Sequence, residues 1–213
     1  IRCDTAMNFK LLNARKEYHM NEYLENQLNK SVVYQQLKDN CERNNQHEVL
    51  ALVAKVGTFA VERLKTVIKN MPEFTLHDDT HIFNMLTIIG KLIPQENMRK
   101  LSTPDLFMLI VSVFLHDIGM APDEKHILAW KNQLPETEYD EKLKEEREKF
   151  ARFRLTYTHQ LADIERLETE QEFSKAQLLE DYIVTEYIRT THSIRAREVI
   201  AKYWAGEIVY QDT

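Results

Sequence analysis

Two ionisable residues, His116 and Asp117, stand at the end of the most apolar stretch of the sequence. The run from Leu106 to Leu115 is almost entirely apolar, so an imidazole and a carboxylate at its end are costly unless something pairs with them. Near a helix end, both side chains can bend toward one ion in front of the terminus. Imidazole and carboxylate together suit Zn, Mn, Fe or Ni, and the carboxylate also suits Mg. Taken alone, the dipeptide is better explained as a buried, hydrogen-bonded histidine followed by a helix-end aspartate.

The position of a second histidine favours a metal site over that explanation. His81 lies 35 residues before His116 and begins another apolar stretch. This separation accommodates one helix, a turn and a return helix, so His81 can face His116 across the core. We therefore predict that His81, His116 and Asp117 converge on one divalent ion, with bonds of about 2.0–2.2 Å.

Three other histidines are given lesser roles. His77 precedes His81 by four residues and can share its face of a helix. We expect His77 to cap the helix or to support the ligands. His126 and His159 fall in a polar region and are expected at the surface.

The elements that must hold these residues are predicted to be helices. Only 4 Gly and 5 Pro occur in 213 residues, too few for a fold made of many tight turns. Apolar residues recur with a helical period. Thr103 is predicted to cap the apolar helix, Pro104 suits its first turn, and Gly119 is expected to end it. The predicted helical segments are 8–43, 46–71, 76–93 and 104–118, with the last at the centre of an all-α core.

Composition excludes several classes of protein. The formal net charge of -6 argues against a general nucleic-acid surface. No apolar run is long enough to span a bilayer, since Leu106 to Leu115 is too short, and no signal peptide is evident. Cys3 and Cys41 have no metal-like spacing and favour a reduced, cytoplasmic compartment.

The pattern resembles the HD superfamily of metal-dependent phosphohydrolases. It consists of a histidine at the start of one helix and an apolar helix that ends in His-Asp, followed by Gly119. The resemblance covers residues 46–120 well and 176–200 less tightly. Within the superfamily, Thr75–His81 and Tyr187–His192 are most similar to a bacterial variant that precedes Hsp90-like ATPase modules.

The resemblance implies one HD-type helical bundle over residues 1–213. Its core would comprise 46–120 and 176–205, with N-terminal helices in 1–45. The remaining segment, 123–175, is dense in Glu, Lys and Arg around Glu136 to Arg154, and we expect it to form an exposed helical insertion.

The resemblance also implies roles for individual residues. His81, His116 and Asp117 would be metal ligands, with Asp117 also catalytic. His192 would be catalytic, matching a downstream histidine that reaches a second metal or the substrate phosphate, and Arg189 would bind that phosphate. An equally weighted alternative makes His192 an ordinary helix-end histidine.

The superfamily also uses a final aspartate after the downstream histidine. After His192 the sequence contains only Asp212, and Asp163 precedes His192. We therefore expect the last ligand to lie beyond Thr213, the domain to be incomplete at its C-terminus, and residues 1–213 alone to be a weak or inactive hydrolase.

Two functions follow as expectations. The first is hydrolysis of a phosphomonoester or phosphodiester, plausibly a nucleotide, by a divalent ion (Mn, Mg, Zn, Fe or Ni) within a larger multidomain protein. The second is a catalytically degenerate module that binds a small phosphorylated ligand and regulates a C-terminal Hsp90-like ATPase domain.

Overall fold

The computed structural model describes residues 22–70 and 79–204, and in that part of the chain every regular element is a helix. The predicted all-α fold is confirmed. Short 3-10 helices occur at Ile118–Met120 and Glu136–Glu138. The α-helices of these residues are α1 (Glu22–Leu28), α2 (Val32–Asn44), α3 (His47–Asn70), α4 (Asp79–Leu92), α5 (Gln95–Met98), α6 (Thr103–Leu115), α7 (Glu124–Trp130), α8 (Glu141–Arg154), α9 (Thr158–Thr169) and α10 (Phe173–Trp204).

The chain divides into two compact units. The first contains the described residues up to Ile118 together with those from Ala196 onward, and the second is Gly119–Arg195. The predicted charged helical insertion at 123–175 lies within the second unit. The prediction of a single HD-type domain over residues 1–213 stays a prediction.

Helix α6 lies at the centre of the first unit. It packs against α2, α3 and α4, and its Phe107 and Phe114 are fully buried. This confirms the central position predicted for the apolar helix, with α4 beside it. However, α6 is not buried on every side, because Met108 is 46% exposed.

The start of α6 differs from the prediction by one residue. Ser102, not Thr103, is the N-cap, and its backbone is extended while Thr103 is already helical. The Ser102 hydroxyl accepts the Asp105 backbone N–H at 3.3 Å, and the Asp105 carboxylate accepts the Ser102 N–H at 2.9 Å. This reciprocal capping box satisfies two helix-end donors, which a cap at Thr103 would leave unpaired.

Two other predicted helix limits need correction. The segment 8–43 is not one helix, because Ser31 interrupts it with an extended backbone and caps α2 through the Tyr34 N–H. The central helix ends at Leu115 rather than 118, and a 3-10 turn follows. Gly119 therefore does not end α6. Residues 8–21, and the predicted helix start at 76, lie outside the described residues.

The second unit has a core of its own despite its charged sequence. Trp130 and Phe150 are almost fully buried and contact Tyr187 edge-to-face, with ring centroids 5.2 and 5.3 Å from that of Tyr187. A smaller cluster joins α7 to α8 through Ala129 and Leu143. The charged residues of α8 surround these apolar positions, so its surface is solvated while one face is packed.

One segment, Thr103–Trp130, is long and apolar enough to cross a membrane by length and composition. However, 67% of its most apolar window is buried inside the structure, as in the core helix of a soluble protein. It is also divided into α6, a 3-10 turn and α7.

Two helical glycines in the first unit predict opposite responses to substitution. A Cβ at Gly57 would lie 3.0 Å from Phe114 Cζ, whereas one at Gly90 would make an ordinary 3.6 Å contact with Val32 Cβ. We expect Gly57→Val to lower the free energy of unfolding by about 1–3 kcal/mol through overpacking. Gly90→Ala should raise it by about 0.5–1 kcal/mol through helix propensity. Urea unfolding followed by circular dichroism measures both, and a stabilising Gly57→Val would contradict the packing around Phe114.

Candidate metal centre

The first unit brings two helix ends together. His81 lies in the first turn of α4, and His116 directly follows α6, which packs against α4. Behind the two imidazoles, Phe83 and Phe114 pack edge-to-face with centroids 6.5 Å apart. This contact packs the start of α4 against the end of α6, the two elements that carry the histidines.

His81, His116 and Asp117 lie close together, while their assignment as metal ligands stays a prediction. The Nε2 atoms of His81 and His116 are 3.3 Å apart. Asp117 Oδ2 lies 2.9 Å from His116 Nε2 and 3.6 Å from His81 Nε2. The three atoms therefore form a small triangle, and among the described residues this is the group of histidine, cysteine and acidic side chains that could hold a metal ion.

The backbone selects which nitrogen of His116 faces this triangle. His116 Nδ1 lies 2.7 Å from the carbonyl oxygen of Val113, to which it can only donate. A neutral His116 is therefore protonated on Nδ1, which leaves a lone pair on Nε2. Metal-binding histidines are commonly oriented by such a hydrogen bond to a backbone carbonyl.

This tautomer makes positive charge favourable at the centre of the triangle. If His116 is neutral, its Nε2 lone pair faces the Asp117 carboxylate at 2.9 Å and the Nε2 of His81 at 3.3 Å. A proton on His116 Nε2 can point to only one of these partners. A divalent cation inside the triangle would be attracted to all three.

The burial of Asp117 and the pKa of His116 also favour positive charge at this point. Asp117 is 8% exposed and is the ionisable side chain among the buried polar residues that the structure describes. The hydrogen bond with Asp117 raises the pKa of His116, and the Val113 carbonyl adds to this, although partial burial lowers it. The site thus stabilises a positive charge at the position where the three donor atoms meet.

The donor set also has dimensions that suit a metal ion. Atoms separated by these three distances surround a point roughly 2 Å from each of them, which matches Zn–N and Zn–O bonds. Two imidazoles and one carboxylate suit Zn, Mn, Fe or Ni better than Mg, which prefers oxygen donors.

Comparison with known families agrees with the geometry. The HD-CE family model matches residues 71–213, which is more than half of the chain and includes all three converging residues. The chain belongs to the HD-CE family. No curated protein and no solved structure gave a match. The HD-type domain is thereby confirmed, whereas the link to an Hsp90-like ATPase module stays a prediction.

The two downstream residues of the HD-CE chain lie on α10 in the second unit. His192 is partly exposed, and its Nδ1 lies 2.6 Å from the Arg189 carbonyl oxygen, so it has the same tautomer as His116. Arg189 is exposed and donates to both carboxylate oxygens of Glu186, at 3.1 and 2.8 Å. Their assignment as catalytic and substrate-binding residues stays a prediction.

Arg195 is a residue that the sequence analysis missed. Its Nε donates to the carbonyl oxygen of Gly119 at 2.9 Å, and its Nη atoms donate to Thr191 Oγ1 and to the Ile188 carbonyl. The guanidinium also lies 5.6 Å from the Trp130 ring centre. The Thr191–Arg195 spacing of four residues was visible in the sequence, but the contact with Gly119 depends on tertiary structure.

The other histidines and aspartates considered in the sequence lie in different surroundings. His159 is exposed, as expected, but His126 is half-buried beside Trp130, and burial lowers its pKa. Asp163 pairs with Arg166 at 3.0 Å on the exposed face of α9. His77 and Asp212 lie outside the described residues.

The contact between Asp117 and His116 predicts how a substitution of Asp117 changes the pKa of His116 in the metal-free protein. Because the Asp117 hydrogen bond is the largest cause that raises this pKa, Asp117→Asn should lower it. A pH titration of the imidazole resonances by NMR measures the change, and Asp163→Asn should leave it unaltered.

The same shift fixes the sign of the effect on stability. A folded-state pKa raised above the ordinary 6.5 gives stability that is complete below that pH and is lost as pH rises through the folded pKa. The stability difference between wild type and Asp117→Asn should therefore shrink as the pH is raised. An unchanged His116 pKa in the variant would contradict the described contact.

Proposed function

We propose that this chain is the metal-binding part of an HD-type phosphohydrolase that cleaves phosphomonoesters or phosphodiesters. The observation that carries the proposal is the convergence of two imidazole Nε2 atoms and one buried carboxylate oxygen on one point, where a divalent ion would be attracted to all three. Membership of the HD-CE family supports the same class of chemistry.

His81, His116 and Asp117 would hold the divalent ion. When bound, the ion would supply a more acidic water and polarise a phosphoryl oxygen. The Val113 carbonyl keeps the His116 lone pair directed at the centre through its hydrogen bond to Nδ1. The Asp117 carboxylate contributes negative charge in a partly dehydrated environment, where that charge is least screened.

Three donors converge among the residues that the structure describes. With the further aspartate that the resemblance implies, a six-coordinate ion such as Mn²⁺ would still have positions for water and substrate.

Arg189 and His192 are proposed to meet the substrate phosphate. Arg189 is solvent-exposed while it pairs with Glu186, so water weakens their attraction and a phosphate can compete for the guanidinium. The Nδ1 hydrogen bond of His192 leaves its Nε2 as the nitrogen that can accept or transfer a proton.

The substrate is proposed to be a small phosphorylated molecule, with nucleotides as the first class to test. A net charge of -6 disfavours a long polyanion, but it does not oppose a single phosphate group that meets a local cation. We propose a cytoplasmic location and a multidomain parent protein on the same grounds as in the sequence analysis.

The alternative is a regulatory module. In that case the same three residues would hold an ion or ligand without turnover, and the state of the site would be passed to an Hsp90-like ATPase domain. Metal content and turnover, measured on one preparation, separate the two functions.

The experiment compares wild type with Asp117→Asn. We expect the wild-type chain, reconstituted with Mn²⁺, to retain about one ion per chain by elemental analysis and to hydrolyse bis(p-nitrophenyl) phosphate slowly in a metal-dependent way. Asp117→Asn should weaken metal binding at least 10–100-fold, the range found even for residues that only support ligands, and should abolish turnover.

The matched control is Asp163→Asn, which removes a carboxylate from an exposed ion pair. It should retain both metal and turnover. Metal retention without turnover on any phosphate ester would favour the regulatory module. Equal metal content in wild type and Asp117→Asn would refute the site and both functions that depend on it.

A further inference from the structure

A cleft separate from the metal centre lies wholly within the second unit. It has a volume of about 510 Å³, within the range of small-molecule sites. It lies at the junction of the turn after α7, helix α8 and the start of α10.

Three cations line this cleft. They are Lys131 from the turn after α7, and Arg147 and Arg154 from successive turns of α8. Only one acidic residue, Glu180, is part of the lining. Each cation is paired with a carboxylate, but two of those carboxylates, Asp181 and Glu136, lie outside the lining, so more cations than anions face the cleft.

Each cation is held in place yet retains donors. Arg154 donates to Glu180 through Nε and Nη2, so Nη1 takes no part in that pair. Lys131 pairs with Asp181 at 2.7 Å, which engages one of its three ammonium protons. Because these side chains are positioned before a ligand arrives, less conformational entropy is lost on binding.

Arg147 also shapes the cleft. Its Nε donates to Asn132 Oδ1 at 3.1 Å and its Nη1 to Glu136, so Nη2 takes no part in either contact. Asn132 has a positive φ of 54°, a conformation that few residues other than glycine adopt. The hydrogen bond from Arg147 thus supports the turn that carries Lys131 into the lining.

The same cleft also has an apolar wall. Phe150 and Ala151 lie among the lining residues, and Leu155 at the end of α8 is 66% exposed. An exposed large apolar side chain beside cations suits a ligand that has both an anionic group and an apolar body.

We propose that this cleft binds a small phosphate ester, with its phosphate at the three cations and its organic body on the apolar wall. A phosphate fits better than a carboxylate because it has up to two negative charges and three terminal oxygens, enough to accept from three separate cations. The proposal does not depend on the metal centre or on the proposed hydrolysis.

The test uses phenylphosphonate, a hydrolysis-resistant phosphate analogue with an aromatic body, and the metal-free 213-residue chain. Isothermal titration calorimetry should show saturable binding with one site. Inorganic phosphate should bind more weakly because it lacks the apolar body, and benzoate more weakly because it offers one charge and two oxygens. Absence of saturable phenylphosphonate binding, or equal binding of benzoate, overturns the proposal.

Two variants locate the site. Arg147→Gln and Lys131→Gln should each lower the affinity about tenfold or more, since each removes a charge-assisted hydrogen bond. Lys131→Gln leaves the Asn132 contact of Arg147 intact, so it remains informative if Arg147→Gln disturbs folding, which circular dichroism reports.

The matched control is Arg166→Gln on α9, an arginine outside the lining that pairs with Asp163 and Glu170. Its affinity for phenylphosphonate should equal that of wild type. Equal losses in Arg166→Gln and Arg147→Gln would show nonspecific ionic attraction and would overturn the proposal.

Discussion

A buried carboxylate held against two imidazole rings is the constraint on which the metal centre depends. Asp117 is 8% exposed, and its oxygen lies within 3.6 Å of the Nε2 atoms of both His81 and His116. A buried carboxylate is costly unless hydrogen bonds, a proton or a cation compensate its charge. The Val113 carbonyl makes positive charge at this point more favourable, since it occupies the Nδ1 proton of His116 and turns the Nε2 lone pair of the neutral ring toward the carboxylate.

The helical scaffold holds this arrangement through close packing. Phe114 precedes His116 by two residues and is fully buried against Phe83 of α4. Its ring reaches into space that Gly57 of α3 leaves open, where even a methyl group would be 3.0 Å away. The absence of a side chain at Gly57 therefore allows α3 to approach α6, whose C-terminal end is followed by His116. Stability and the position of the donor atoms are linked through one aromatic ring.

The sequence was informative wherever a short-range pattern determined the outcome. The apolar run ending in His116-Asp117, the distance to His81 and the shortage of Gly and Pro were enough to predict the helices and the convergence of the three side chains. The cap at Ser102 rather than Thr103 depended on which hydroxyl could reach the Asp105 N–H, and both residues are good caps. Such a choice is made by local geometry that composition does not show.

Tertiary contacts account for what could not be predicted. The charged stretch around α8 concealed a packed face, because Phe150 finds Trp130 and Tyr187 only when α7, α8 and α10 come together. Arg195 donates to the carbonyl of Gly119, 76 residues earlier in the chain, and no spacing rule anticipates that bond. The tautomer of His116 likewise depends on a side-chain rotamer. The sequence predicted the helices and the types of donor atom, whereas the hydrogen-bond partners depend on the folded structure.

The central claim is that the Nε2 atoms of His81 and His116 bind one ion together with Asp117. The most direct measurement is a long-range ¹H–¹⁵N NMR spectrum of the imidazoles during titration of the metal-free protein with Zn²⁺, which is diamagnetic. The account predicts that both Nε2 resonances shift at one equivalent, that His116 Nδ1 remains protonated, and that exposed His159 does not respond. Coordination through Nδ1 of His116, or a response of only one of the two histidines, would contradict it.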